Sequence, residues 1–103
     1  MKISTRNHFF KEIIKILNTV KIVWMKGDGQ THGLMVHGEP EIILYDWAEA
    51  NPVATVIHEA LHHYFGEIKV NEEDVVEALE RELFADFNET QLNAIKIYVP
   101  KRK

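Results

Sequence analysis

The chain reads as an α+β protein, and three observations predict this. Apolar residues recur at helical spacing up to Leu17 and again from Val53 onward. Between those regions lie three short stretches rich in β-branched and aromatic residues, divided by Gly- and Pro-containing turns. The 46% hydrophobic and 27% charged composition is that of a packed globular chain. The expected order is an N-terminal helix, a small, mostly antiparallel sheet, a buried helix and a long C-terminal helix, in one domain over 1–103.

The first helix is expected from about Thr5 to Leu17. Phe9, Ile13, Ile16 and Leu17 form its apolar stripe, with Ser4 or Thr5 as cap. Val20 to Met25 reads as a strand, Gly27 to Gly33 as a turn, and Leu34 to His37 as a strand returning antiparallel. Gly38-Glu39-Pro40 turns the chain again, into a third strand from Glu41 to Asp46. Asn51-Pro52 is a helix entry, Asn as cap and Pro at the first helical position. The helix that follows is apolar nearly all round, which places it centrally, and Gly66 ends it. Asn71, followed by Glu72, Glu73 and Asp74 in a first turn, opens a long helix through Val75, Leu79 and Phe87 toward Ile95. Lys101-Arg102-Lys103 is a solvated tail.

Composition narrows the chemistry. Sixteen acidic and twelve basic residues leave a net charge of −4, so no broad electrostatic footprint for nucleic acid is expected. There is no cysteine, which excludes disulfides, thiolate catalysis and Cys-type zinc sites. A metal would need His nitrogen and carboxylate oxygen. The strictly apolar runs are too short to span a membrane, and no signal-peptide core follows Met1. A cytoplasmic location is therefore expected.

The central helix carries His58-Glu59-Ala60-Leu61-His62. Two His four residues apart lie about 40° apart around a helix axis, so their rings can converge on one ion. Neutral imidazoles at that spacing suit Zn²⁺. Glu59 lies one step round from His58, where a carboxylate can take a proton from a metal-activated water and pass it to the leaving amine. That is why H-E-x-x-H works as a metallopeptidase motif. With six His and twelve Glu, a shuffled chain would contain it with a probability of roughly 0.04, so its place in an apolar helix has to supply the rest of the argument. Burying such residues unpaired would cost several kcal/mol.

A catalytic zinc needs a third protein ligand and an open position. No His follows His63, which leaves the carboxylates of the next helix: Glu82 first, then Glu80, then Glu77. Glu82 and Asp86 share a helix face, so that Glu82 could bind metal while Asp86 accepts a ligand ring's N–H.

His58-Glu59-x-x-His62 followed by Glu82-x-x-Ala85-Asp86 resembles the gluzincin metallopeptidases, whose thermolysin-like and ImmA/IrrE-like branches share these two motifs in varying forms. The interval from His62 to Glu82 is similar to the thermolysin-like interval. The resemblance covers roughly Glu41 to Phe87. It implies a minimal zincin-like fold, with an active-site helix and a ligand-bearing helix. It also implies His58, His62 and Glu82 as zinc ligands, Glu59 as general base and a peptide or protein substrate. A zincin substrate adds as a strand to a sheet edge beside the active-site helix, for which Ile42 to Tyr45 is the candidate.

Other residues carry less. His63 points about 100° away from His62 and is expected either behind the ligands, outside direct reach of the ion, or at the surface. His32 and His37 flank the hairpin region as candidate oxyanion donors, and Tyr45, Tyr64 and Tyr98 each offer a phenol. His8, Trp24 and Trp47 read as structural. Two functions follow as expectations: a zinc-dependent metallopeptidase, or a regulatory or interaction module that zinc staples without hydrolysis.

Overall fold

The computed structural model describes residues 1–25, 33–36, 41–45, 51–66 and 72–101. Along the chain these form α1 (Ile3–Leu17), β1 (Lys21–Met25), β2 (Gly33–Val36), β3 (Glu41–Tyr45), α2 (Pro52–Phe65), α3 (Glu72–Asp86) and α4 (Glu89–Lys96). The protein is α+β, as expected. Of the expected Gly27–Gly33 turn, Gly33 opens β2 and 27–32 lie outside the described residues, as do the Gly38-Glu39-Pro40 turn, the Asn71 cap, Asp46, Trp47, His32 and His37.

α2 is the hub. It packs against α1, α3 and α4 and against strands β2 and β3. Its Val56, Ile57, Ala60 and Leu61 are fully buried. They join Ile13 and Leu17 of α1, Ile42 and Leu44 of β3, Val76 and Leu83 of α3 and Ile95 of α4 in one core. Neighbours on every side explain why a helix so apolar around its circumference is stable in water. Asn51 caps it as the sequence suggests, its side chain accepting from the Val53 N–H at 2.9 Å.

The sheet differs from expectation. It has three strands in the order β1-β3-β2, with β3 in the middle. β3 pairs antiparallel with β2 and parallel with β1, in the register Lys21↔Glu41 to Met25↔Tyr45. The mostly antiparallel sheet is therefore replaced by a mixed one. Connection length gives the physical reason. Four residues, 37–40, join β2 to β3, within the usual range of roughly 2–5 for a hairpin. Seven residues, 26–32, separate β1 from β2, which releases β1 from that hairpin. Ile42 and Leu44 alternate onto the buried face of β3, and a strand so apolar gains most from having neighbours on both sides. It follows that Ile42 to Tyr45 is not a sheet edge; among the described strands the edges belong to β1 and β2.

Two helix details also change. α1 begins at Ile3, so Ser4 and Thr5 lie inside its first turn and Lys2 is the cap residue, without a side-chain cap bond. The α1 start is instead tied to α3: the Met1 amine lies 3.4 Å from the Asp86 carboxylate, and Arg6 Nη1 donates to the Asp86 carbonyl. The long C-terminal helix is two helices. Asn88 restarts it with a capping box, its Oδ1 accepting from the Gln91 N–H at 2.8 Å while Gln91 Oε1 accepts from the Asn88 N–H at 3.1 Å. No described helix is long and apolar enough to cross a membrane.

Asn88→Ala removes a cap that also sets the α3–α4 bend. A loss of about 1 kcal/mol is expected. Thermal unfolding followed by circular dichroism should register it as a midpoint roughly 4–8 °C lower.

Candidate metal centre

The face that α2 turns toward α3 interrupts its apolar surface with two imidazoles. The His58 and His62 side chains are 18% and 19% exposed, so both rings are largely withdrawn from water. Their centroids lie 4.7 Å apart with the planes at 68°, and the two Nε2 atoms are 3.1 Å apart. The spacing of four residues thus brings the rings together on one side of the helix.

The third member comes from the opening of α3. Glu73 Oε1 lies 3.0 Å from His58 Nε2, and Glu73 Oε2 lies 2.9 Å from His62 Nε2. Its side chain is 55% exposed, at the outer lip of the group. Glu80, two turns further along α3, places Oε1 3.3 Å from His58 Nδ1. Among the described residues, His58, His62 and Glu73 are the group of metal-ligating side chains whose donor atoms lie within 4.8 Å of one another.

Glu82 is not part of this group. It is exposed, and nine residues after Glu73 put it about 180° around the helix. The buried face of α3 is set by Val76, Leu83 and Phe87, and that stripe includes Glu73 and Glu80. Reading Val75 and Leu79 as the inward side would bring Glu82 and Asp86 toward the histidines, but Val75 is exposed. Asp86 instead holds the amino terminus of α1. Glu77 is exposed as well. The signal for Glu73 lay in the sequence as one of three acids opening α3, where helix-dipole compensation is explanation enough without a ligand role.

Glu59 is buried, at 7% exposure, one residue from His58 on the central helix. His63 is exposed. Tyr64 packs edge-on against Phe9 and Phe65, and the Tyr98 hydroxyl meets the Asn18 side-chain oxygen at 2.6 Å, so both phenols have structural uses. Trp24 donates from its indole to the Pro100 carbonyl at 2.7 Å.

No family model, curated protein or solved structure matches this chain. The case for a metal rests on the donor set itself.

Three close contacts join the two Nε2 atoms and the carboxylate, yet at most two protons can sit on those nitrogens. An ionised carboxylate only accepts. If both nitrogens are protonated, they face each other as two donors; if one or both are bare, a lone pair faces the carboxylate. With the carboxylate ionised, no proton assignment turns all three contacts into hydrogen bonds, whereas a cation held between the two nitrogens and the carboxylate satisfies them together. The spacings of 2.9–3.1 Å are a little under the edge of about 3.3 Å expected for a tetrahedron with zinc bonds of about 2.05 Å. The residues present fit a His₂–carboxylate zinc set.

A ligand set bridging two helices makes metal part of the folding equilibrium. Zinc at about a hundred times its Kd should add about 2.7 kcal/mol to the unfolding free energy. That is a midpoint rise of roughly 10 °C or more, reversed by EDTA. In a chelator competition, Glu73→Ala should weaken zinc by more than the roughly 10–100-fold that outer contacts contribute, while Glu82→Ala leaves it unchanged.

Proposed function

We propose that this protein is a small zinc-dependent metallopeptidase of the gluzincin type, with His58, His62 and Glu73 as the metal ligands and Glu59 as the general base. The observation that carries the reading is the convergence of both motif imidazoles and a carboxylate from the adjoining helix, beside a buried Glu one residue away from a ligand. That combination supplies a metal set of three side chains, the number that leaves a tetrahedral ion one position for substrate or water.

Zinc, when held there, acts as a Lewis acid and brings the pKa of a coordinated water to near ~7. The rest of the chemistry belongs to the chain. The Glu59 carboxylate accepts a proton as the water oxygen bonds to the scissile carbonyl carbon. It then delivers that proton to the amide nitrogen as the C–N bond breaks, so that one water is consumed and a carboxyl and an amine are released. Burial of Glu59 keeps competing solvent from the carboxylate during the transfer. His58 and His62 are held by a helix packed on all sides, which keeps their geometry from depending on loops.

The third ligand departs from the motif-based expectation: Glu73, and not Glu82, reaches the rings. The partner class stays the same, an extended peptide or an unfolded protein segment. The strand that would receive it cannot be β3, which is paired on both sides.

Glu59→Gln separates chemistry from metal binding. Zinc affinity and melting should match the unaltered protein, while cleavage of a peptide library by the zinc-loaded protein falls by roughly 10²–10⁴-fold. Equal cleavage by both forms would remove Glu59 from the mechanism. Zinc binding with no cleavage by either form would favour the stapled, non-hydrolytic module.

A further inference from the structure

The histidine His58 is contacted at both ring nitrogens by one helix. Glu73 Oε1 lies 3.0 Å from Nε2 and Glu80 Oε1 lies 3.3 Å from Nδ1. The two acids are seven residues apart, two turns, so they stand nearly in line about 10 Å apart along α3. The ring spans the gap between them. We infer that Glu80 is the positioning residue of the metal centre: it accepts the Nδ1–H of His58 and so leaves Nε2 bare and aimed at the group formed with His62 and Glu73.

A neutral imidazole has one N–H. If it lies on Nε2, His58 cannot offer that nitrogen as a ligand, and Nδ1 directs a lone pair at the Glu80 carboxylate. If it lies on Nδ1, the Glu80 contact becomes a charge-assisted hydrogen bond and Nε2 offers its lone pair to the cation it shares with Glu73. Glu80 therefore selects the ligating tautomer. It also opposes rotation of the ring about its χ2 bond, because a flipped ring would lose the acceptor. Half-burial of the Glu80 side chain, at 27% exposure, strengthens this contact relative to one in open solvent.

This assignment rests on the metal reading above, but one of its tests does not need the metal. In zinc-free Glu73→Ala protein at mildly alkaline pH, which lacks the competing acceptor at Nε2, ¹⁵N chemical shifts should show the His58 proton on Nδ1. In that background Glu80→Ala should release the ring to a mixture of tautomers, and Glu80→Gln, whose amide oxygen still accepts the proton, should restore most of the Nδ1–H form. Zinc affinity by chelator competition should fall roughly 10–100-fold in Glu80→Ala and distinctly less in Glu80→Gln. Circular dichroism checks that both variants remain folded. An unchanged His58 tautomer together with unchanged zinc affinity in Glu80→Ala would overturn the assignment. If the unaltered chain binds no zinc, the metal reading fails, and the tautomer result alone decides for or against Glu80.

Discussion

The contact between α2 and α3 governs what the two histidines meet. Val76, Leu83 and Phe87 are buried, and their burial fixes which side of α3 turns toward the core. Glu73 and Glu80 lie on that same side and are drawn to the rings as a consequence. A hydrophobic preference thereby sets the rotation of a helix, and the rotation selects which acids face the imidazoles. The helix has acids on nearly every side, so a different rotation would have placed a different carboxylate there.

The central helix solves a related problem. His58, Glu59 and His62 belong to a segment whose other residues are almost wholly apolar. Holding polar groups in such surroundings costs free energy unless each has a partner. α3 provides partners for both rings, and no buried side-chain nitrogen or oxygen among the described residues lacks one. The rigidity of the surrounding core is then passed to the polar group. In a protein this small, that is an efficient way to combine stability with a chemically demanding site.

Much of this was legible in the residues. The Asn51-Pro52 entry, the central position of α2 and the convergence of His58 with His62 follow from spacing and local chemistry. Rotation of α3 did not. Its apolar residues Val75, Leu79, Leu83 and Val76 follow one another over a single arc of about 100°, and tertiary packing selects which part of that arc is buried: Val76 and Leu83 are, Val75 is not. The downstream E-x-x-A-D pattern begins at Glu82, on the exposed side of that helix. The α3–α4 break had a readable signal, Asn88 three residues before Gln91, masked by an apolar periodicity that runs on past it. Strand order was the least readable, because β-branched composition reports a strand without its neighbours; connection length held the missing information.

The sheet order has a consequence for synthesis. β1 pairs with β3, twenty positions further on in register, and the described residues give it no other strand neighbour. As the chain leaves the ribosome, β1 therefore waits with both edges open until β3 has emerged, and β2 appears first without being able to close it. A nascent chain halted in that interval presents Ile22, Val23 and Trp24 on an unpaired strand, a template for self-association.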